Sequence, residues 1–249
     1  MAWTGTTRAY YARRKGRYTS DCTDGEWIAV APFMPPPRRL GRPRKTDLRE
    51  VWNAIQYIAA TGRQWAMLPK DFPPFMTVQH YFYRLRDSGV LDLINEALVA
   101  AARVLCGRAP EPTAAVIDSQ SVKTTESGGP RGYDAGKRIK GRKRHIVTDT
   151  QGHMVTGIVH EAGIRTETAP SASSSSSAKA FRRSLVFSPT AATPEKSLQP
   201  LWRPWLNRCR RLAKDWEATI ASSEAWLLIA SIRQLSRRIA RADKAGIQF

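Results

Sequence analysis

The chain reads as an α+β protein with more than one domain. Three observations carry this reading. Apolar residues recur at helical spacing from Trp27 to about Leu105, alternate as in strands from Val116 to His160, and return to helical spacing beyond Ser222. At 249 residues and 42% hydrophobic content, the chain is long enough for two modest cores.

Residues 1–20 mix Thr, Tyr, Arg and Gly without a period and read as a disordered basic tail. Thr23-Asp24-Gly25-Glu26 is a capping-box pattern ahead of Trp27, Ile28 and Val30, so a short helix starts there. Pro35-Pro36-Pro37 ends it. Arg38 to Lys45 is a basic stretch broken by Gly41 and Pro43, either a solvated linker or a segment that lies along phosphates. Thr46 or Asp47 caps a second helix, with Val51, Ile55 and Ile58 on one face and Gly62 as its C-cap. Trp65, Met67 and Leu68 form a hydrophobic connection. Thr77 is expected to cap a third helix with Val78, Tyr81, Phe82 and Leu85 toward the core, closing at Gly89. A fourth runs from Leu91 to about Leu105.

Short helices beside a basic loop make residues 21–106 a helix-turn-helix-like module suited to DNA. Arg42, Arg44, Lys45, Arg84 and Arg86 are its candidate contacts.

An apolar run then leads to Asp118, followed by Ser119-Gln120-Ser121-Val122-Lys123. Gly128 to Gly136 is too rich in Gly and Pro to be an element. Six of the eight residues from Lys137 to Arg144 are basic, and this stretch reads as a loop. His145 to Thr150 is a strand, Gln151-Gly152 a turn, and Met154 to His160 a returning strand. A carboxylate beside a dense cationic loop suits a metal ion and a phosphodiester together; the bland readings are a turn residue and a solvated hairpin. Lys137, Arg138, Lys140, Arg142, Lys143 and Arg144 are the candidate phosphate contacts. Asp134 and Asp149 read as turn residues. His145, His153 and His160 lack metal-ligand spacing and read as structural.

Forty Lys and Arg against 21 Asp and Glu give a net charge of +19 and a pI near 10.6. Such a charge predicts a polyanionic partner, with nucleic acid the common one and a membrane surface the alternative. Cys22, Cys106 and Cys209 are odd in number and widely spaced, which speaks against zinc and a disulfide framework and fits a cytoplasmic protein. Met1 to Tyr18 holds no apolar run for a signal peptide, and no stretch reaches the ~18 apolar residues of a membrane span.

Ile117-Asp118-Ser119-Gln120-Ser121-Val122-Lys123, followed by the segment Gly132 to His145, resembles the DDE transposases of bacterial insertion sequences, the insertion-sequence-five family. Trp27 to Arg86 is similar to the small N-terminal domain of the same proteins, so the resemblance runs from Asp21 to about Arg165. It implies a truncated RNase-H-like catalytic domain over 111–165, in which three acidic residues bind two Mg²⁺ (or Mn²⁺) ions. Asp118 stands at the first of the three positions, as catalytic residue and metal ligand. The implied activity is metal-dependent phosphodiester cleavage and strand transfer. The implied partner is double-stranded DNA, both transposon terminal inverted repeats and target, in the bacterial cytoplasm at the nucleoid. A homodimer is left open.

The resemblance stops near Thr166, where Ser173 to Ser177 form a run of five serines. Loss of one base after the Arg165 codon accounts for the change. Thr166-Glu167-Thr168-Ala169 then derives from Asp-Arg-Asp-Gly, and Ser188 to Lys196 from Leu-Ala-Asp-Gly-Gly-Tyr-Ala-Gly-Glu, which carries the second acidic motif. Residues 166–204 are accordingly expected to be frame-shifted and disordered. The family frame resumes near Trp205, and 205–249 reads as the C-terminal helical segment of the catalytic domain, capped at Ser222 or Ser223, with a partner surface partly missing. The second acidic position falls at Pro189-Thr190 and the third at Pro200, so a transposase defective in catalysis is expected. The alternatives are a non-catalytic DNA-binding remnant that occupies transposon ends and, third, a basic RNA-binding protein.

Overall fold

The computed structural model of the chain describes residues 17–37, 43–126, 128–164, 206 and 208–244. Residues 1–16, Arg42 and the segment 166–204 lie outside them, and with these most of the expected tail, one candidate DNA contact and the expected frame-shifted stretch. Residues 17–20 do not continue a tail. The Tyr18 ring stacks on Phe72 at 5.1 Å and meets the Tyr57 ring edge-on at 4.9 Å, and Ser20 is buried.

Local chemistry sets the helix ends. In α1 (Asp24–Val30) the Thr23 side chain accepts from the Glu26 N–H, and the Glu26 carboxylate accepts from the Thr23 N–H. In α2 (Leu48–Thr61) the Asp47 carboxylate accepts from the Arg49 N–H at 2.8 Å. The left-handed Gly62, at φ +70°, closes that helix. α3 (Phe75–Asp87) starts earlier than its expected Thr77 cap, because the Pro74 carbonyl accepts from the N–H groups of Thr77 and Val78. α4 (Val90–Val104) follows across Ser88-Gly89.

Four antiparallel strands come next: β1 (Ala115–Lys123), β2 (Gly132–Asp134), β3 (Ile139–Asp149) and β4 (Met154–Glu161). β3 is central. β1 pairs along one side of it, and β2 and then β4 pair along the other. The expected basic loop over Lys137 to Arg144 is therefore a correction: from Ile139 onward these residues are strand. Gly157 lies opposite Ile146 in β4, where the space above it is taken by Leu227, 3.2 Å from the position a Cβ would occupy.

The last helix, α5 (Ile220–Lys244), begins before the expected caps. The Thr219 hydroxyl accepts from the Ser222 N–H at 3.2 Å. Ser222 and Ser223 are instead buried on the inner face. Glu224, past the first turn, accepts from the Val159 N–H of β4 at 3.0 Å, and burial raises its pKa.

The expectation that the partner surface of α5 is partly missing does not hold. Its face of Trp226, Ile229, Ile232, Leu235 and Ile239 is buried against α1 to α4 and β4. One hydrophobic core includes these residues, Val51, Ile55 and Ile58 of α2, Phe82 of α3, Ile94 of α4, and Ile146, Met154 and Val159 of the sheet. Trp226 sits at the junction, with its ring on Phe82 at 4.6 Å and beside Trp65 at 5.8 Å. The helical region and the sheet thus share a core rather than each closing its own.

Candidate nucleic-acid interface

Asp118 occupies the middle of β1, opposite Ile146 of β3, and is half-buried. Its Oδ1 accepts from the Ser119 N–H at 2.7 Å. Strand alternation puts it on the same face as Val116, Gln120 and Val122, the face on which α5 packs. β1 borders the sheet among the described residues. Its outer side is bonded at one end by Asp215, whose N–H donates to the Lys123 carbonyl (2.9 Å) and whose carbonyl accepts from the Thr125 N–H (3.1 Å).

The turn from Asp134 to Lys137 folds back over the other face. Ser121 Oγ donates to Asp134 Oδ2 at 2.5 Å, the Lys137 N–H donates to Asp134 Oδ1 at 3.1 Å, and Lys143 Nζ lies 3.6 Å from the carboxylate. These contacts, the Ser121 hydrogen bond foremost, lower the Asp134 pKa. Lys137 Nζ donates to the Ser119 carbonyl at 2.9 Å, so one cation of the turn rests beside the Asp118 backbone. Lys137, Arg138 and Lys140 are exposed.

Arg142 and Arg144 are not available to phosphate. Both are essentially without solvent contact, at 0% and 1% exposure. Arg142 Nη1 pairs with Asp215 at 3.0 Å and donates to Ser223 Oγ at 2.8 Å; Arg144 Nη1 donates to the Leu212 carbonyl at 2.7 Å. They alternate with Ile146 on the core face of β3, a placement that follows only once the strand is seen to begin at Ile139. Lys143 is held by Asp134 and is mostly buried. Arg86 is also committed: it pairs with Asp87 at 2.6 Å, donates to Ser222 Oγ at 2.8 Å, and its guanidinium lies over the Tyr83 ring at 4.7 Å. Arg44, Lys45 and Arg84 are exposed, with Arg44 donating to the Pro35 carbonyl at 2.9 Å.

Asp149, expected as a turn residue, and the histidines expected to be structural are all buried. Asp149 joins three elements. Its Oδ1 accepts from the N–H groups of Gln151 and His153, and its Oδ2 meets Arg103 Nη1 at 2.7 Å and His153 Nδ1 at 3.0 Å. Arg238 of α5 donates to His153 Nε2 at 2.7 Å. Burial alone would raise the Asp149 pKa; the bonds from His153 and Arg103 outweigh it and hold the carboxyl well below the usual range. The His145 and His160 rings stack at 4.8 Å, and burial, followed by His160 and the nearby lysines, pulls the His145 pKa down to about 4.

A magnesium or manganese pair would need several oxygen ligands converging on one place. Among the described residues no group of three or more His, Cys, Asp and Glu side chains is placed to hold an ion. Asp134, Asp149 and Asp215 are committed to internal partners, and Glu161 is separated from β1 by β3. The described residues therefore do not fit the two-metal set.

Helices ahead of a sheet whose first strand carries Asp118 agree with two family comparisons. Residues 22–95 match a family described as transposases of the IS4/5 family, and residues 109–170 match the transposase DDE domain. These matches define a DDE transposase, a class whose catalytic domain implies an RNase-H-like fold. Over these two segments the chain is similar to the insertion-sequence DDE transposases of the IS4/5 family. An uncharacterized protein of Sinorhizobium fredii, y4sN, is 30% identical over 80 residues, which are 32% of this chain and 62% of that protein. The chain thus spans less than two thirds of that relative's length. No solved structure matches it. Among the described residues, no helix is long and apolar enough to cross a membrane.

Proposed function

We propose that this chain binds the double-stranded DNA of an insertion sequence, at its terminal repeats, without completing the strand chemistry of its family. The observation that carries the reading is the isolation of Asp118 among carboxylates that are already paired. A single carboxylate leaves most of the charge of two divalent ions unbalanced, and the transition-state stabilisation they supply, on the order of several kcal/mol, is then lost. The exposed cations Arg44, Lys45, Lys137, Arg138 and Lys140 remain for phosphate contact, and Arg84 is exposed as a further DNA contact.

A one-base loss after the Arg165 codon is part of this reading. Its support is that the match to the DDE domain ends at residue 170, and that the second and third acidic positions read Pro189-Thr190 and Pro200. Sequencing the gene beside an intact copy of the element tests it directly.

The functional test uses the full chain and duplexes carrying the ends that flank its gene. Binding that weakens steeply between about 50 and 200 mM salt, with no cleavage in Mg²⁺ or Mn²⁺, is the expected result. Strand cleavage that disappears in Asp118→Ala would overturn the non-catalytic reading, and absence of any duplex binding would overturn the DNA reading.

A further inference from the structure

Among the described helices α1 to α4, α3 is the one that carries no carboxylate before its last residue. α1 bears Asp24 and Glu26, α2 bears Glu50, and α4 bears Asp92 and Glu96. α3 ends on Asp87, which Arg86 neutralises at 2.6 Å. The inward side of α3, Val78, Phe82 and Leu85, is buried in the shared core. Met76, Gln79, His80, Tyr83 and Arg84 follow at i, i+3, i+4, i+7 and i+8, which is one helix face. Met76 is 70% exposed and Tyr83 38%, His80 and Arg84 are exposed, and Gln79 is half-buried.

This face is held in place from behind. Phe82 stacks on Trp226, and Arg86 ties the C-terminal end of α3 to Ser222 of α5. Gln79 Nε2 donates to Tyr83 OH at 3.0 Å, which keeps the amide on the outer surface. A helix about 10–12 Å across matches a major groove roughly 12 Å wide, and Lys70 just ahead of the helix is exposed beside it.

We propose that α3 enters the major groove of duplex DNA and reads base edges with Gln79, His80 and Arg84, with Met76 against thymine methyl groups. The inference rests on the DNA reading above and adds which helix carries sequence specificity. An amide suits the N6 and N7 edge of adenine, and a guanidinium suits the O6 and N7 edge of guanine, each contact discriminating against a wrong base. Lys137, Arg138 and Lys140 carry no such readers between them and act on the phosphate backbone.

The test selects binders from a pool of randomised 20-base-pair duplexes (about two turns), using the full chain and its Gln79→Ala and Arg84→Ala variants. Wild type is expected to enrich a motif. Each variant should lose preference at one or two base positions, with affinity for the selected duplex falling roughly 5- to 150-fold. Affinity for an unselected duplex should stay nearly unchanged. Equal losses on selected and unselected DNA, or variants that enrich the wild-type motif, would overturn base reading by α3 and leave DNA binding standing. A wild-type chain that binds no duplex would overturn both. Unchanged thermal unfolding of these surface variants confirms that the fold is intact in the comparison.

Discussion

Arg142 Nη1 lies 3.0 Å from Asp215 Oδ1, and both side chains are sealed from solvent. Arg144 reaches within 4.0 Å of the same carboxylate, so two guanidinium groups share one counter-ion between the sheet and α5. The carbonyls of Pro130, Ala218 and Leu212 take up further donors of the two arginines. Burial drives the Arg144 pKa down to about 10, against the pull of Asp215 upward, and the group stays charged at neutral pH.

Asp215→Asn leaves two buried cations without a carboxylate. Removing one partner from a buried pair costs about 3–5 kcal/mol, and a loss of this size is expected in urea unfolding. An unchanged unfolding midpoint would mean that the pair contributes nothing to holding the C-terminal segment on β1.

The Asp149 carboxyl is held below its ordinary value of 3.8 in the folded chain. Its contribution to stability is therefore full above about pH 4 and is lost as pH falls toward the folded value. Unfolding free energy measured from pH 5 to pH 2 (roughly one unit above the unfolded aspartate value and two below it) should decline more steeply in wild type than in Asp149→Asn. The variant should also be the less stable of the two at neutral pH, because the buried Arg103 loses its counter-ion.

His145 behaves in the same sense through a different group. Its folded pKa of about 4 lies below the ordinary 6.5, so the unfolded chain takes up the proton first. Stability is full above about pH 6.5 and falls as pH drops toward 4. His145→Gln, which cannot titrate, should flatten that part of the curve; a slope identical to wild type would place the proton uptake elsewhere.

Gly62 and Gly89 both sit at φ +70°, but their surroundings differ. A Cβ on Gly62 would lie 3.1 Å from the Arg210 backbone, whereas Gly89 faces open space. Gly89→Ala should cost about 1–2 kcal/mol for the left-handed backbone alone. Gly62→Ala should cost more, and thermal unfolding of the two variants side by side measures the difference.

Trp226 joins α5 to Phe82 and Trp65, so a fragment ending before α5 exposes the inner faces of α1 to α4. The fragment 17–108 is expected to lack cooperative unfolding, and Trp226→Ala in the full chain to lose about 3–5 kcal/mol. Sharp cooperative melting of the fragment would instead establish an independent helical domain.

Caps and helix ends were legible because each is an interaction over three or four residues. Thr23 with Glu26, Asp47 with Arg49, and Gly62 behind Ile58 need nothing from the rest of the chain. The returning strand from Met154 to His160 was legible for the same reason, since alternation is local, but Asp118, expected at the end of the first strand, lies in the middle of β1 because the strand runs on to Lys123. The misplacement of α3's start came from giving Thr77 a role that the Pro74 carbonyl performs one turn earlier.

The sequence by itself determined the resemblance to the transposase families, the helices α1 to α4, the strands around Asp118, His145 and Met154, and the excess of positive charge, while β2 (Gly132–Asp134) fell in a stretch read as too rich in Gly and Pro to be an element. Which of those charges faces water was decided only by the tertiary structure. Lys137, Arg138 and Lys140 stay in solvent or beside it, while Arg142 and Arg144, a few residues on, turn inward. The physical reason is that a buried guanidinium is tolerable only with a counter-ion and acceptors. For Arg142 these come from Asp215 and Ser223, 73 and 81 residues away, a distance over which no local pattern in the sequence reports.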